Sequence, residues 1–268
     1  NQRMFEESKQ YSERIQFVLG PHAIYTVCKE DLQWAANFAR EHGLRIHIHL
    51  SETEKEVNDC VAEHGLRPVE YLESFGFLGP DVIAAHGIWL NENEMDILAA
   101  REVKVVHNPC SNMKLASGTF NLPEMLKRGV HVSLGTDGDC SNNNLDMSEE
   151  MKFAALLAKS RSEDPRVCPA QTAFDLATIH GAEAFGLESG KIEKGALADC
   201  MLVDLNNYKL SPGYHLTSDM VYSADSSCID TVICDGRVLM QNGQVEGENE
   251  IIAQARKTRD RLIQAAVK

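Results

Sequence analysis

Positive charge is in short supply: 26 Lys and Arg stand against 40 Asp and Glu, a net charge of −14 over 268 residues. A polyanion would be repelled over most of such a surface, so nucleic acid and anionic membrane are excluded as general partners. Paired cysteines are also missing. The eight cysteines are scattered singly, with no Cys-x-x-Cys, which excludes a compact disulfide framework and points to reduced thiols in a cytoplasmic protein. No apolar run approaches the roughly 20 residues needed to cross a bilayer, and no signal-peptide pattern is visible. No linker or low-complexity tract divides the chain, and no initiator methionine opens it. The first residues, Asn1 to Lys9, read as a helix entered midway.

What is there suits a globular enzyme, with 43% hydrophobic and 25% charged residues and enough length for a substantial core. The apolar run Ile15–Leu19 reads as a strand that stops at Gly20-Pro21-His22-Ala23. Asp31–His42 has helical spacing through Leu32, Ala35, Ala36, Phe38 and Ala39 and closes at Gly43. The strand, polar turn, helix pattern then repeats. Strands are expected at Leu44–Leu50, Val82–His86, Val103–His107 and Val130–Leu134. The intervening helices are Thr53–Glu63, Pro68–Phe75, Glu92–Arg101 behind an Asn91 cap, and one near Leu122–Arg128.

Five strands alternating with helices imply a parallel sheet with right-handed crossovers. Each ends in polar or ionisable residues: His22, His49 with Glu52, His86, His107 with Asn108, and Asp137. A parallel β/α barrel collects its catalytic groups at the carboxyl ends of its strands. A doubly wound sheet also fits the pattern, although it gathers ligands at one crevice and needs no histidine after nearly every strand.

Beyond Asp137 the character changes. Ser148–Ser160 and Pro169–Phe185 read as amphipathic helices, the second carrying His180. From Gly190 short strands follow, at Cys200–Asp204 and at Thr231–Cys234 joined through Asp235-Gly236 to Arg237–Gln241. Asn242-Gly243 is a further hairpin signal. A helix over Glu248–Val267 ends the chain. A boundary near Gly186 divides a barrel-like part, residues 1–186, from a small β-rich module with a terminal helix, residues 187–268.

The densest chemistry lies at Arg45-Ile46-His47-Ile48-His49-Leu50-Ser51-Glu52-Thr53. Alternation along a strand points His47 and His49 the same way, and Glu52 falls just past the strand end. Imidazole and carboxylate from different strands suit zinc or ferrous iron with open positions for water. Such an ion brings the pKa of its water towards neutrality, and a nearby carboxylate can then carry protons. His131 inside a strand, His42 and His64 at helix ends before glycine, and His180 on a long helix read as structural. His107 is read as supporting its loop. His47, one step deeper than His49, is the weaker ligand candidate. Cys140 and Ser141 are candidates for lining a pocket.

His49-Leu50-Ser51-Glu52-Thr53, Ala85-His86-Gly87, His107-Asn108-Pro109-Cys110-Ser111-Asn112-Met113-Lys114-Leu115 and Gly135-Thr136-Asp137-Gly138 together resemble the amidohydrolase superfamily. More narrowly they are similar to its 5-methylthioadenosine/S-adenosylhomocysteine deaminase branch, with triazine chlorohydrolases close by. Gly20-Pro21-His22-Ala23, Asn142-Asn143-Asn144-Leu145-Asp146-Met147 and Glu150-Met151-Lys152 strengthen the match. The resemblance implies the later part, about strands 4–8, of a TIM-like (β/α)8 barrel, with part of a small flanking β-sandwich. It implies one divalent metal ion, zinc or iron, held by His49 and Asp137. Glu52 would bind the substrate base and relay protons, His86 would orient the attacking water, and His22 would contact the substrate. Asp137 would also accept the water's proton.

The implied reaction is attack of hydroxide on the amino-bearing carbon of an adenine nucleoside, with loss of ammonia. A chlorohydrolase, or an aminohydrolase of guanine or triazine type, is the alternative within the same superfamily. An inactive structural or oligomerisation unit is the alternative outside it. The family's first barrel strand carries a His-x-His pair that supplies two more ligands, and none precedes Asn1. The expectation is therefore a fragment whose exposed edge and apolar faces favour a homo-oligomer. Ile24 departs from the family pattern, where proline is common.

Overall fold

The computed structural model describes residues 2–12 and 14–266. Two helices, α1 (Gln2–Ser8) and α2 (Lys29–His42), precede β1 (Ile46–Leu50). The helices α3 (Glu54–His64) and α4 (Pro68–Ser74) lead to β2 (Val82–His86), and α5 (Glu92–Ala100) leads to β3 (Lys104–His107). Next come α6 (Pro109–Lys114), α7 (Leu122–Lys127) and β4 (His131–Leu134), followed by α8 (Asp139–Asn142), α9 (Met147–Ser162), α10 (Ala170–Ala177) and α11 (Ile179–Phe185). The four strands form one parallel sheet in the order β1-β2-β3-β4, so each crossover returns the chain to the same edge-to-edge direction and all four carboxyl ends lie together.

Side-chain alternation sets the faces. Ile46, Ile48 and Leu50 of β1 are fully buried, in the same core cluster as Leu32, Ala36 and Ala39 of α2, while His47 and His49 occupy the opposite face. Helix α2 ends where Gly43 takes φ +64° and its N–H returns to the Ala39 and Arg40 carbonyls, a conformation glycine adopts at little cost. Asn91 caps α5 by accepting from Glu94 N at 2.9 Å.

The expected first strand, Ile15–Leu19, forms only one bridge, Leu19 to Ile46. Leu19 N donates to Arg45 O at 2.9 Å and Leu19 O accepts from His47 N at 2.8 Å, but Ile15 is 58% exposed. Nothing pairs with the outer side of this segment among the described residues, so apolar character alone does not hold it as a strand. The expected single helix Pro169–Phe185 is two helices, broken at Thr178. There the β-branched hydroxyl donates to Phe174 O at 2.8 Å, supplying the carbonyl that a continuing helix would have satisfied from its backbone.

The second sheet is antiparallel, in the order β5 (Cys200–Val203), β6 (Ile229–Cys234), β7 (Arg237–Gln241), β8 (Gln244–Val245). Both hairpin signals are met: Asp235-Gly236 and Asn242-Gly243 have positive φ at each residue, as two-residue primed turns require. Between β5 and β6, α12 (Leu216–Tyr222) packs back on α9 and α10, and its Val221 joins the main core. The last helix, α13 (Glu248–Ala266), has no buried residue.

Candidate active site

The residues singled out by sequence gather at the carboxyl ends of β1 and β2. The rings of His22 and His49 lie 4.9 Å apart, and His49 stacks on His86 at 5.5 Å. Glu52 Oε2 lies 3.7 Å from His86 Nε2, with the His86 side chain 1% exposed and Glu52 17%. Asp137 follows β4 and is close enough to His86 and His47 for its charge to act on both.

His49 is held by the segment before it in space. Its backbone N and its ring Nδ1 both meet the His22 carbonyl, at 3.0 and 2.8 Å. A proton on Nδ1 donated to that carbonyl leaves Nε2 with a free lone pair, the arrangement of a metal-binding imidazole. For Asp137, burial acts to raise the carboxyl. Hydrogen bonds from Ser111, Ser141 and Gly138 N and the proximity of His86 outweigh it and hold the group below its ordinary range. Ser111 Oγ approaches Asp137 Oδ2 at 2.6 Å and Gly138 N approaches Oδ1 at 2.7 Å. His47 is pushed down by burial and by its neighbours His49 and His86, against the opposing pull of Asp137.

Sequence reasoning missed the residues that brace these groups. Glu56, 6% exposed on α3, accepts from Ser51 N and Glu52 N, each at 2.8 Å, and so fixes the turn carrying Glu52. Its spacing from Thr53 matches a capping box, a signal present in the sequence, yet it reaches past the cap to the residues before it. Ser117 Oγ donates to Glu52 Oε1 at 3.0 Å. Fully buried Glu150 on α9 accepts from Cys110 N and Asn142 Nδ2, and Asn142 also donates to Thr136 O, bracing the turn before Asp137. Asn108-Pro109-Cys110-Ser111-Asn112, expected as a loop, instead opens α6, with proline in the first turn.

Ser51, His86 and Asp137 all have left-handed backbone, at φ +50°, +74° and +60°. Each such residue costs on the order of 1–2 kcal/mol, and all three stand at carboxyl ends of parallel strands.

The remaining histidines noted in the sequence are not at the strand-end cluster, although His107 lies behind His86. His131 and His180 neighbour each other away from this cluster, the first bonded to Glu183 and the second to Val132 O. His42 packs on Phe5 and Phe38, and His64 stacks on Tyr71. His107 is buried against Phe120. Cys140 is exposed, as is Cys28.

Among the described residues, no three His, Cys, Asp or Glu side chains form a metal-holding group. A neutral imidazole nitrogen at His49 and an ionised carboxylate at Asp137 still fit a divalent ion chemically. They are two donors, which leaves the remaining positions to water, substrate or donors outside this chain.

The chain belongs to the amidohydrolase family, whose model matches residues 2–239. It is 51% identical over 234 residues to a 5′-deoxyadenosine deaminase of Methanothermobacter thermautotrophicus, covering 87% of this chain and 55% of that protein. It is also 51% identical over 229 residues to a 5-methylthioadenosine/S-adenosylhomocysteine deaminase of Thermococcus sibiricus, covering 85% and 54%. The chain thus spans little more than half the length of these relatives. Among solved structures, a Xanthomonas campestris adenosine deaminase with bound zinc superposes with a TM-score of 0.94 at 34% identity, over 98% of this chain and 61% of that one. A zinc-bound atrazine chlorohydrolase of Arthrobacter aurescens shares the fold, with a TM-score of 0.88 at 23% identity over 96% and 58%.

Proposed function

We infer that the chain carries most of the active site of a metal-dependent deaminase acting on an adenine nucleoside. The observation that carries this reading is the meeting of His22, His49, Glu52 and His86 at the ends of β1 and β2, in a chain 51% identical to adenosine-type deaminases. His49 and Asp137 would hold the ion, zinc by the donor set, with iron as the alternative. When bound, the ion makes water acidic enough to attack near neutral pH.

The remaining work falls to the protein. Asp137 takes the proton of the attacking water, and His86 Nε2 orients that water against the ring. Glu52, fixed by Ser117 and by the Glu56 brace, takes the other proton of the water and gives it to the ring nitrogen, and the proton held by Asp137 passes to the departing amine. The new bond joins the water's oxygen to the ring carbon, and the carbon–nitrogen bond breaks to release ammonia. His22, exposed at the rim, contacts the substrate.

In this reading β1–β4 and the edge segment at Leu19 belong to about strands 4–8 of a (β/α)8 barrel, and the second sheet belongs to a flanking β-sandwich, with the division near Gly186. The partner is a small nucleoside-like molecule, and the assembled enzyme is a homo-oligomer. The test is ammonia release by a chain extended to the length of its relatives. Turnover of 5′-deoxyadenosine, 5′-methylthioadenosine or S-adenosylhomocysteine should exceed that of guanine or melamine. Turnover confined to guanine or the triazine would transfer the protein to the other branch.

A further inference from the structure

Behind His86 lies a chain of polar groups, Asn112 and His107, that is buried from solvent. His86 Nδ1 faces the Asn112 Oδ1 atom at 2.9 Å, and both residues are buried. Asn112 Nδ2 in turn lies 3.5 Å from His107 Nδ1. His107 is 2% exposed and stacked on the Phe120 ring at 4.3 Å and 13°.

An amide oxygen only accepts, so the short contact is satisfied when His86 carries its proton on Nδ1. A neutral imidazole has one N–H, and Nε2 then keeps its lone pair. That nitrogen is the one 3.7 Å from Glu52. The amide nitrogen of Asn108 also approaches His86 Nδ1, but at 3.5 Å, where a hydrogen bond is weak.

His107 biases which way the Asn112 carboxamide is turned. Burial, aided by the nearby His86, pushes its pKa down to about 3, so the ring is neutral at working pH and its Nδ1 lone pair faces the Asn112 amide nitrogen, across a contact as long as that of Asn108. A reversed carboxamide would set its oxygen against that lone pair. Reversal therefore requires both imidazoles to exchange tautomers together.

We propose that Asn112 and His107 are positioning residues that hold His86 as its Nδ1–H tautomer, with the Nε2 lone pair turned towards the space beside Glu52. The catalytic use of that lone pair rests on the deaminase reading; the tautomer itself does not. With Nε2 unprotonated, His86 accepts a hydrogen bond from the attacking water and leaves the Glu52 carboxylate free to take a proton. In the opposite tautomer Nε2–H would donate to Glu52 and occupy it.

The measurement is long-range proton–nitrogen correlation NMR on this chain labelled with nitrogen-15 histidine, near neutral pH. His86 should show a protonated Nδ1 and an unprotonated Nε2, with the reverse at His107. Its signals are assigned by their loss in His86→Gln. Asn112→Leu should move His86 towards Nε2–H, and His107→Phe, which keeps the aromatic stack, should give a mixture. Protonated Nε2 at His86 in the unaltered chain overturns the proposal, as does an unchanged pattern in His107→Phe, should Asn112→Leu fail to fold. In the extended chain, Asn112→Leu should lower kcat by about tenfold or more with KM little changed. The predicted tautomers without any turnover would count against the deaminase reading alone, and turnover with the opposite tautomers against this one alone.

Discussion

Two glutamates four residues apart do different work. Glu52 points into the cluster beside His86, while Glu56 turns back and grips Ser51 N and Glu52 N. Replacing Glu52 by Gln removes the proposed proton carrier but keeps the shape. In the extended chain, turnover should fall at least about a hundredfold with zinc content and thermal midpoint unchanged. Glu56→Ala leaves two buried N–H groups without partners, and should cost about 2–4 kcal/mol by urea denaturation as well as slowing turnover. Equal stability loss in both variants would mean that the two roles have been confused. His107 offers a second test. An imidazole at about 3 in the fold and near 6.5 in the unfolded chain takes up its proton only on unfolding. Acid therefore favours the unfolded chain as pH falls from about 6.5 towards 3, and above that window the group has no effect. Between about pH 6 and pH 4, His107→Phe should reduce the slope of unfolding free energy against pH by roughly 1 kcal/mol per unit. A slope unchanged in urea titrations would show that His107 is protonated in the fold.

Elements show how much was legible. His22, His49, Glu52, His86 and Asp137 could be picked out because each ends or follows an apolar run, and period-two alternation places His49 opposite the core. Glu56 could not, and Glu150 stood in a motif without a role, because an acid on a helix reads as a solvated face until the fold brings backbone N–H groups or Asn142 against it. Ile15–Leu19 misled in the opposite direction, since strand character needs a pairing partner as well as apolar residues. The break at Thr178 depends on where one hydroxyl donates. Helix starts provide the prediction at this scale. Thr53 caps α3 by accepting from Glu56 N at 3.1 Å, and Asn91 caps α5 at 2.9 Å. Alanine at either should cost about 1 kcal/mol in urea. Only Thr53→Ala should also slow the extended enzyme, because its helix carries the Glu56 brace. Equal slowing by Asn91→Ala would mean that general destabilisation, and not the brace, governs rate.

The whole molecule sets how firmly a metal can be held. The proposed donors, His49 and Asp137, follow the two edge strands of a four-stranded parallel sheet, so holding one ion between them requires the sheet to curl. Two donors make a weak site. Structural and catalytic zinc sites are built from three or four protein ligands, and apparent affinity falls steeply as donors are removed. His22 and His86 are the nearest further imidazoles to His49, with His47 beyond them, yet none of them joins a three-residue group among the described residues. After dialysis against metal-free buffer, this chain should therefore retain less than about a tenth of an equivalent of zinc, and the extended chain should retain about one. His49→Ala in the extended chain should then lose most of its ion. Stoichiometric zinc in the shorter chain, measured by atomic emission, would require a third donor within it. His47→Ala and His22→Ala would identify which imidazole had turned inward.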